Sequence, residues 1–143
     1  MSGSGDVCLH PAGFSTVSLK FQEELLRGAV FKAAYVQTHA KALPVLGAAP
    51  DWASDVTDAG MPAEKRTLHV GLRQLGNCIL DAQPAAVHAL LLADAGTAAE
   101  QEAFRELTPS IGPCIPDGVT LSFSRSVLAG LLAEVAKRRA DNG

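Results

Sequence analysis

A chain of 143 residues with 48% apolar but only 5% aromatic residues must build one domain's core from Ala, Leu and Val, and Ala and Leu are strong helix formers. Its net charge of −3 comes from 12 basic and 15 acidic residues, with the cations scattered among carboxylates, which excludes the basic stripe of a nucleic-acid binder. The longest apolar run, Ala85 to Ala95, is broken by His88 and Asp94 and falls short of the roughly 20 residues that a membrane span needs.

Residues 1–7 open with Met1-Ser-Gly-Ser-Gly5 and read as a flexible N-terminal segment or tag remnant, followed by a single helical domain over residues 8–140. They lack the charged segment and apolar run of a signal peptide; if they are a tag remnant, the native start and any export signal are expected outside this sequence. A first helix is expected from about Phe21 to Ala42, with Leu25, Leu26, Ala29, Val30, Ala33 and Ala34 at helical spacing. Pro44 ends it, and the Gly-, Pro- and Asp-rich residues 47–60 read as a loop. Trp52 in that loop is expected to fold back as a lid, because an indole buries so much area.

Pro62 suits the first turn of a second helix, along which Leu68, Leu72, Leu75 and Ile79 recur. Pro84 interrupts that run and starts a shorter helix carrying Val87, Leu90 and Leu91. Thr97-Ala-Ala-Glu100 fits a capping box and opens a helix that presents Phe104 and Leu107 and is expected to stop before Pro109. Residues 109–118, with three Pro and two Gly, then read as loop, and Val119-Thr-Leu-Ser-Phe123 as a short extended segment. Ser122 or Ser124 caps a last helix whose apolar face holds Val127, Leu128, Leu131, Leu132 and Val135. Lys137, Arg138 and Arg139 fall at its end, where positive charge suits the helix dipole.

The first and last helices are related. Residues 17–35 align without a gap to residues 119–137, so that Val17, Leu19, Phe21, Leu26, Gly28 and Ala34 meet identical residues at Val119, Leu121, Phe123, Leu128, Gly130 and Ala136. A mid-helix Gly costs about 1 kcal/mol relative to Ala. Its recurrence at one register position predicts a close helix crossing at Gly28 and Gly130 about a pseudo-two-fold axis.

Cys78 near a helix end, the helix from Pro84 to Leu91, the turn Cys114-Ile-Pro-Asp-Gly118 and the helix from Arg125 to Glu134 together resemble a group of small bacterial helical proteins, mostly exported and with no assigned activity. The resemblance covers under half the chain. It implies an all-α fold and a disulfide between Cys78 and Cys114. The residues alone leave connectivity among the three cysteines open. Cys8 stands free, pairs with another cysteine, or has lost a partner upstream in a trimmed, exported precursor. A reducing cytoplasm with three packed thiols is the competing reading.

No catalytic constellation is recognisable. His10, His39, His69 and His88 are too dispersed for a metal motif, and HExxH, CxxC, GxSxG and phosphate-loop patterns are absent. Asp51, Asp55 and Asp58 lack the ligand spacing of a calcium loop. His69 and Arg73, four apart on one helix, read as surface or satisfied core residues. The expectation is therefore an all-α domain of about five helices with no cofactor, metal or catalytic residues, acting as a non-enzymatic interaction or structural module. A protein partner or self-association is expected. The alternative is a small-ligand carrier, or an enzyme with its site between helices near Trp52.

Overall fold

The computed structural model describes residues 12–54, 62–119 and 124–143, and the side chains of its first helix from Leu25 onward. Among these residues it is all-helical: α1 (Ala12–His39), α2 (Ala63–Ala82), α3 (Pro84–Leu92), α4 (Ala98–Cys114) and α5 (Arg125–Asp141). No helix among them is long and apolar enough to cross a membrane. The expected flexible segment 1–7, Cys8, His10, Asp55, Asp58 and all of the expected extended segment but Val119 lie outside the described residues.

Helix α5 is the axis of the domain. Every residue from Val127 to Ala136 is buried, so its surface is covered all round, as in the central helix of a bundle. Its Ser124 cap accepts from the Val127 N–H at 3.2 Å. On one side α1 crosses it, while α2 and α3 cover the other and α4 packs against both of these. Leu75, Ile79, Val87, Leu90, Leu91 and Leu107 form the apolar layer against Leu132 and Val135.

The crossing of α1 and α5 is set by glycine. A Cβ on Gly28 would sit 2.5 Å from the Gly130 Cα, and one on Gly130 would sit 2.6 Å from the Gly28 Cα. These helices approach backbone to backbone, at a distance no side chain allows. A second close approach follows α1, where a Cβ on Gly47 would collide with the Asn142 carbonyl. There the Gly47 N–H donates to the Arg139 carbonyl at 2.8 Å. The Arg139 Nε–H in turn donates to the Gly47 carbonyl at 3.0 Å. Trp52 follows, buried in the core, with the Arg138 guanidinium 5.0 Å from its ring centroid. The basic residues that end α5 thus grip specific partners: Arg139 also pairs with Asp81, and Lys137 with Asp141 at 2.6 Å.

Three boundaries differ from expectation. α1 already begins at Ala12, nine residues before the expected Phe21. α1 ends at His39, three residues before the expected Ala42, and turns away before Pro44. α4 does not stop before Pro109, and residues 109–114 are helix rather than loop. Proline deprives a helix of one backbone bond and crowds the carbonyl four residues back. Pro109 and Pro113 are four apart and both exposed, as is Arg105, so the crowded carbonyls face solvent. The opposite face continues unbroken through Leu107, Ile111 and Cys114 onto the core, and this packing holds the turn. At the other end of α4 the Thr97 hydroxyl accepts from the Glu100 N–H at 3.3 Å. The Glu100 carboxylate reaches back one residue further than a capping box predicts, to the Gly96 N–H at 2.9 Å.

Candidate functional site

Four kinds of feature stand out among the described residues: a charge cluster, a tyrosine–histidine pair, two grooves and one bare helix face. Beneath the glycine crossing lies a buried charge cluster. Glu134, one turn after Gly130 on α5, receives Arg27 of α1 in a two-pronged pair, Nε to Oε1 at 2.9 Å and the terminal nitrogen to Oε2 at 2.8 Å. Arg73 of α2, 1% exposed, donates to the same Oε1 at 2.8 Å. Burial pushes the Glu134 carboxyl up, but the hydrogen bonds and charges of Arg27 and Arg73 outweigh it and hold the pKa at about 2. The carboxylate is therefore a fixed anion that ties three helices together, with its oxygens already engaged.

A second cluster joins the far end of α1 to α3. The Tyr35 hydroxyl lies 2.6 Å from His88 Nδ1, and His39 stacks at a tilt on the Tyr35 ring with centroids 5.1 Å apart. Burial raises the Tyr35 phenol to about 12, so it stays a neutral donor. Burial, and then the charge of His39, lower the His88 pKa. With both groups neutral, one proton is shared between the Tyr35 hydroxyl and His88 Nδ1, the imidazole accepting in its Nε2–H tautomer, and the pair is a packed hydrogen bond between helices. Among the described residues no three His, Cys, Asp or Glu side chains gather as a metal site.

The third feature is a groove of about 520 Å³ along α2, lined by Leu68, Gly71, Leu72 and Leu75 and closed by Pro116 and Val119. It runs beside the bond between Cys78 and Cys114, whose sulfurs are 2.02 Å apart and whose Cα atoms are 5.8 Å apart. The last turn of α2 is thereby fastened to the end of α4. A more polar groove of about 530 Å³ lies between α4 and the start of α5. Its two guanidiniums are engaged, Arg105 with Glu102 and Arg125 with the face of Phe104.

The fourth feature is the outer face of α1. Leu26 is 71% exposed and Val30 62%, with exposed Ala29 and Ala33 completing a stripe at helical spacing. Leu25, 40% exposed, flanks it. Leu26 and Val30 are too large and too close together to be scattered surface apolars.

The residues singled out from the sequence fall into two structural pairs. Cys78 meets Cys114, and Gly28 meets Gly130. The Arg27–Glu134–Arg73 cluster went unnoticed in the sequence, although one signal for it existed: Glu134 is the lone charge between Leu131 and Ala136. A charge set inside an unbroken apolar run must be paired if that run is buried on every side. No family model, curated protein or solved structure matches this chain.

Proposed function

We propose that this protein is a non-enzymatic helical interaction module that presents α1 to a protein partner. The observation that carries this reading is the contrast between matched positions of α1 and α5. Under the gapless alignment, Leu26, Ala29, Val30 and Ala33 correspond to Leu128, Leu131, Leu132 and Val135. On α5 all four are buried by the other helices, and Leu132 and Val135 are wholly inaccessible. On α1 the same face is bare. The glycine-mediated approach of the two helices supports reading them as copies of one unit, of which one lacks its covering layer.

The chemistry favours surface over reaction. The deepest charged group, Glu134, is consumed by two arginines, and Tyr35 and His88 satisfy each other. The Cys78–Cys114 bond supports residence in an oxidising compartment and fits the likeness to small exported bacterial proteins. The test is site-specific photocrosslinking in the native host, with the probe at position 26 or 30 and, as control, at exposed Arg66 of α2. Protein adducts are expected from α1 only. Equal yields from α2, or no adducts from α1, would refute the reading.

The groove beside the disulfide favours a second reading, a carrier of a small apolar ligand, because its lining is mainly aliphatic. A Cβ at Gly71 meets no atom within 4 Å, so Gly71→Trp projects an indole into the groove from that position. Loss of binding of an apolar fluorophore in that variant would support the carrier reading, and unchanged binding would dismiss it.

A further inference from the structure

We infer that the bond between Cys78 and Cys114 is a redox latch: a thiol reductant that opens it unwinds the last turn of α4 and removes one wall of the apolar groove, while the core stays folded. The observation that carries this is the inequality of the two ends that the bond joins. Around Cys78 in α2, Leu75, Ile79 and Leu80 are buried, so that helix is held whether or not its sulfur is bonded. Cys114 ends α4 in Ser110-Ile-Gly-Pro-Cys114, a turn composed of weak helix formers. Pro113 has no N–H to give the carbonyl four residues back, and Gly112 brings freedom that the helix must suppress. Packing holds this end only together with the bond. The last fully buried residue of α4 is Leu107, while Ile111, Cys114 and Ile115 are each half-buried. The groove depends on the same end. Pro116 and Val119, which close it over Leu72 and Leu75, follow Cys114 in a locally bonded turn. There the Ile115 N–H donates to the Gly112 carbonyl at 3.0 Å and the Val119 N–H to the Pro116 carbonyl at 3.1 Å.

Access selects the sulfur that is attacked, because Cys78 is exposed and Cys114 half-buried. A thiolate of the reductant bonds to Cys78 Sγ, the bond between the two cysteines breaks, and Cys114 leaves as a thiolate that takes up a proton. A second thiolate attacks the reductant's sulfur in this mixed disulfide, and Cys78 leaves and is protonated in turn. Two electrons and two protons reach the protein, and the reductant carries away a disulfide. Exchange with an oxidised disulfide runs the same steps backward and closes the latch. Groove and bond are thus made and lost together.

Hydrogen exchange read by mass spectrometry tests this on the full chain in a Cys8→Ser background, oxidised and after treatment with dithiothreitol without denaturant. Thiol counting verifies that the bond is open. Amides over residues 110–115 should then exchange at least tenfold faster, while those of Val127 to Ala136 stay protected over the same minutes. Hydroxyl-radical footprinting should label Leu72 and Leu75, 7% and 4% exposed in the closed form, at least threefold faster once the wall is gone. Cys78→Ser combined with Cys114→Ser should reproduce both changes without reductant. Brief exposure of the oxidised protein to glutathione, stopped with acid, should leave the adduct on Cys78. Unchanged exchange over 110–115, or unchanged labelling of Leu72 and Leu75, overturns the proposal, for the bond is then no latch on the groove. Loss of protection in α5 together with α4 overturns it too, because the bond would then hold the whole fold. A glutathione adduct on Cys114 instead of Cys78 refutes the assigned order of attack.

Discussion

Helices α1 and α5 share a sequence pattern, meet at a glycine pair, and live in opposite surroundings. α5 is enclosed on every side and its one acidic side chain in the buried stretch, Glu134, is held by two arginines. α1 is half enclosed: Gly28 and Tyr35 face inward, while Leu26 and Val30 face water. One amphipathic pattern thus supports two roles, and the difference is made by what lies beside each helix. Periodicity says that a face is apolar and is silent on whether anything covers it. The comparison teaches that side-chain size carries some of the missing information, since the covered face is the larger one.

The sharpest way to break the contrast is to remove the anion at the centre of α5. Glu134→Ala leaves Arg73 buried without its carboxylate, and a loss of about 3–5 kcal/mol in denaturant unfolding is expected. The same group governs acid stability. Its folded pKa lies below the unfolded value of 4.5, so its contribution is complete above 4.5 and drains away as pH falls toward about 2. Glu134→Gln should flatten that acid limb of the stability curve, and an unchanged limb would show that other carboxylates dominate it.

Truncating matched positions sharpens the comparison next. Leu132→Ala on α5 opens a cavity and should cost about 2–5 kcal/mol. Val30→Ala, its counterpart on α1, should stay within about 0.5 kcal/mol in the monomer, because an exposed valine has no cavity to leave. Equal effects in calorimetry would mean that α1 is covered after all. Filling the crossing is a third test. Gly28→Ala and Gly130→Ala each force the same two backbones apart, and each should cost about 1–3 kcal/mol. Combined, they should cost less than the sum of the singles, since the first has already opened the contact. The smallest effect belongs to the His88 pair. Its folded pKa lies below the unfolded 6.5, so its stabilising contribution is present above 6.5 and weakens as pH falls through that value. His88→Gln should remove this dependence in thermal melts between neutral and mildly acidic pH, leaving the limb near pH 4 in place.

Much of the fold was legible because local rules act where they are written. Pro84 starts α3 at its first position, Thr97 and Ser124 cap the helices they precede, and the α2 and α3 axes bend by 108° at the break that Pro84 marks. The two glycines announced their close approach because glycine is costly mid-helix. The end of α4 was misread because proline was weighed as a breaker without regard to the face it occupies, and here both prolines face solvent. The charge cluster was missed for a different reason. Arg73 and Glu134 lie 61 residues apart, and no spacing rule links them until α2 and α5 are packed. The bare face of α1 belongs to the same class, for exposure is a property of neighbours.

The Cys78–Cys114 bond closes the chain into a covalent ring that holds all of α3 and α4. Both ends of α5's covering layer are thereby sewn to each other, while α1 lies outside the ring and rests on α5 chiefly through contact. A protease that cuts between α3 and α4, at the exposed turn of Asp94 to Gly96, would open the ring yet release nothing, because each fragment stays attached through sulfur. The nicked protein would migrate as one chain without reductant and as two with it. The layer that buries α5 can thus survive a broken backbone, and the bare face of α1 has no such safeguard.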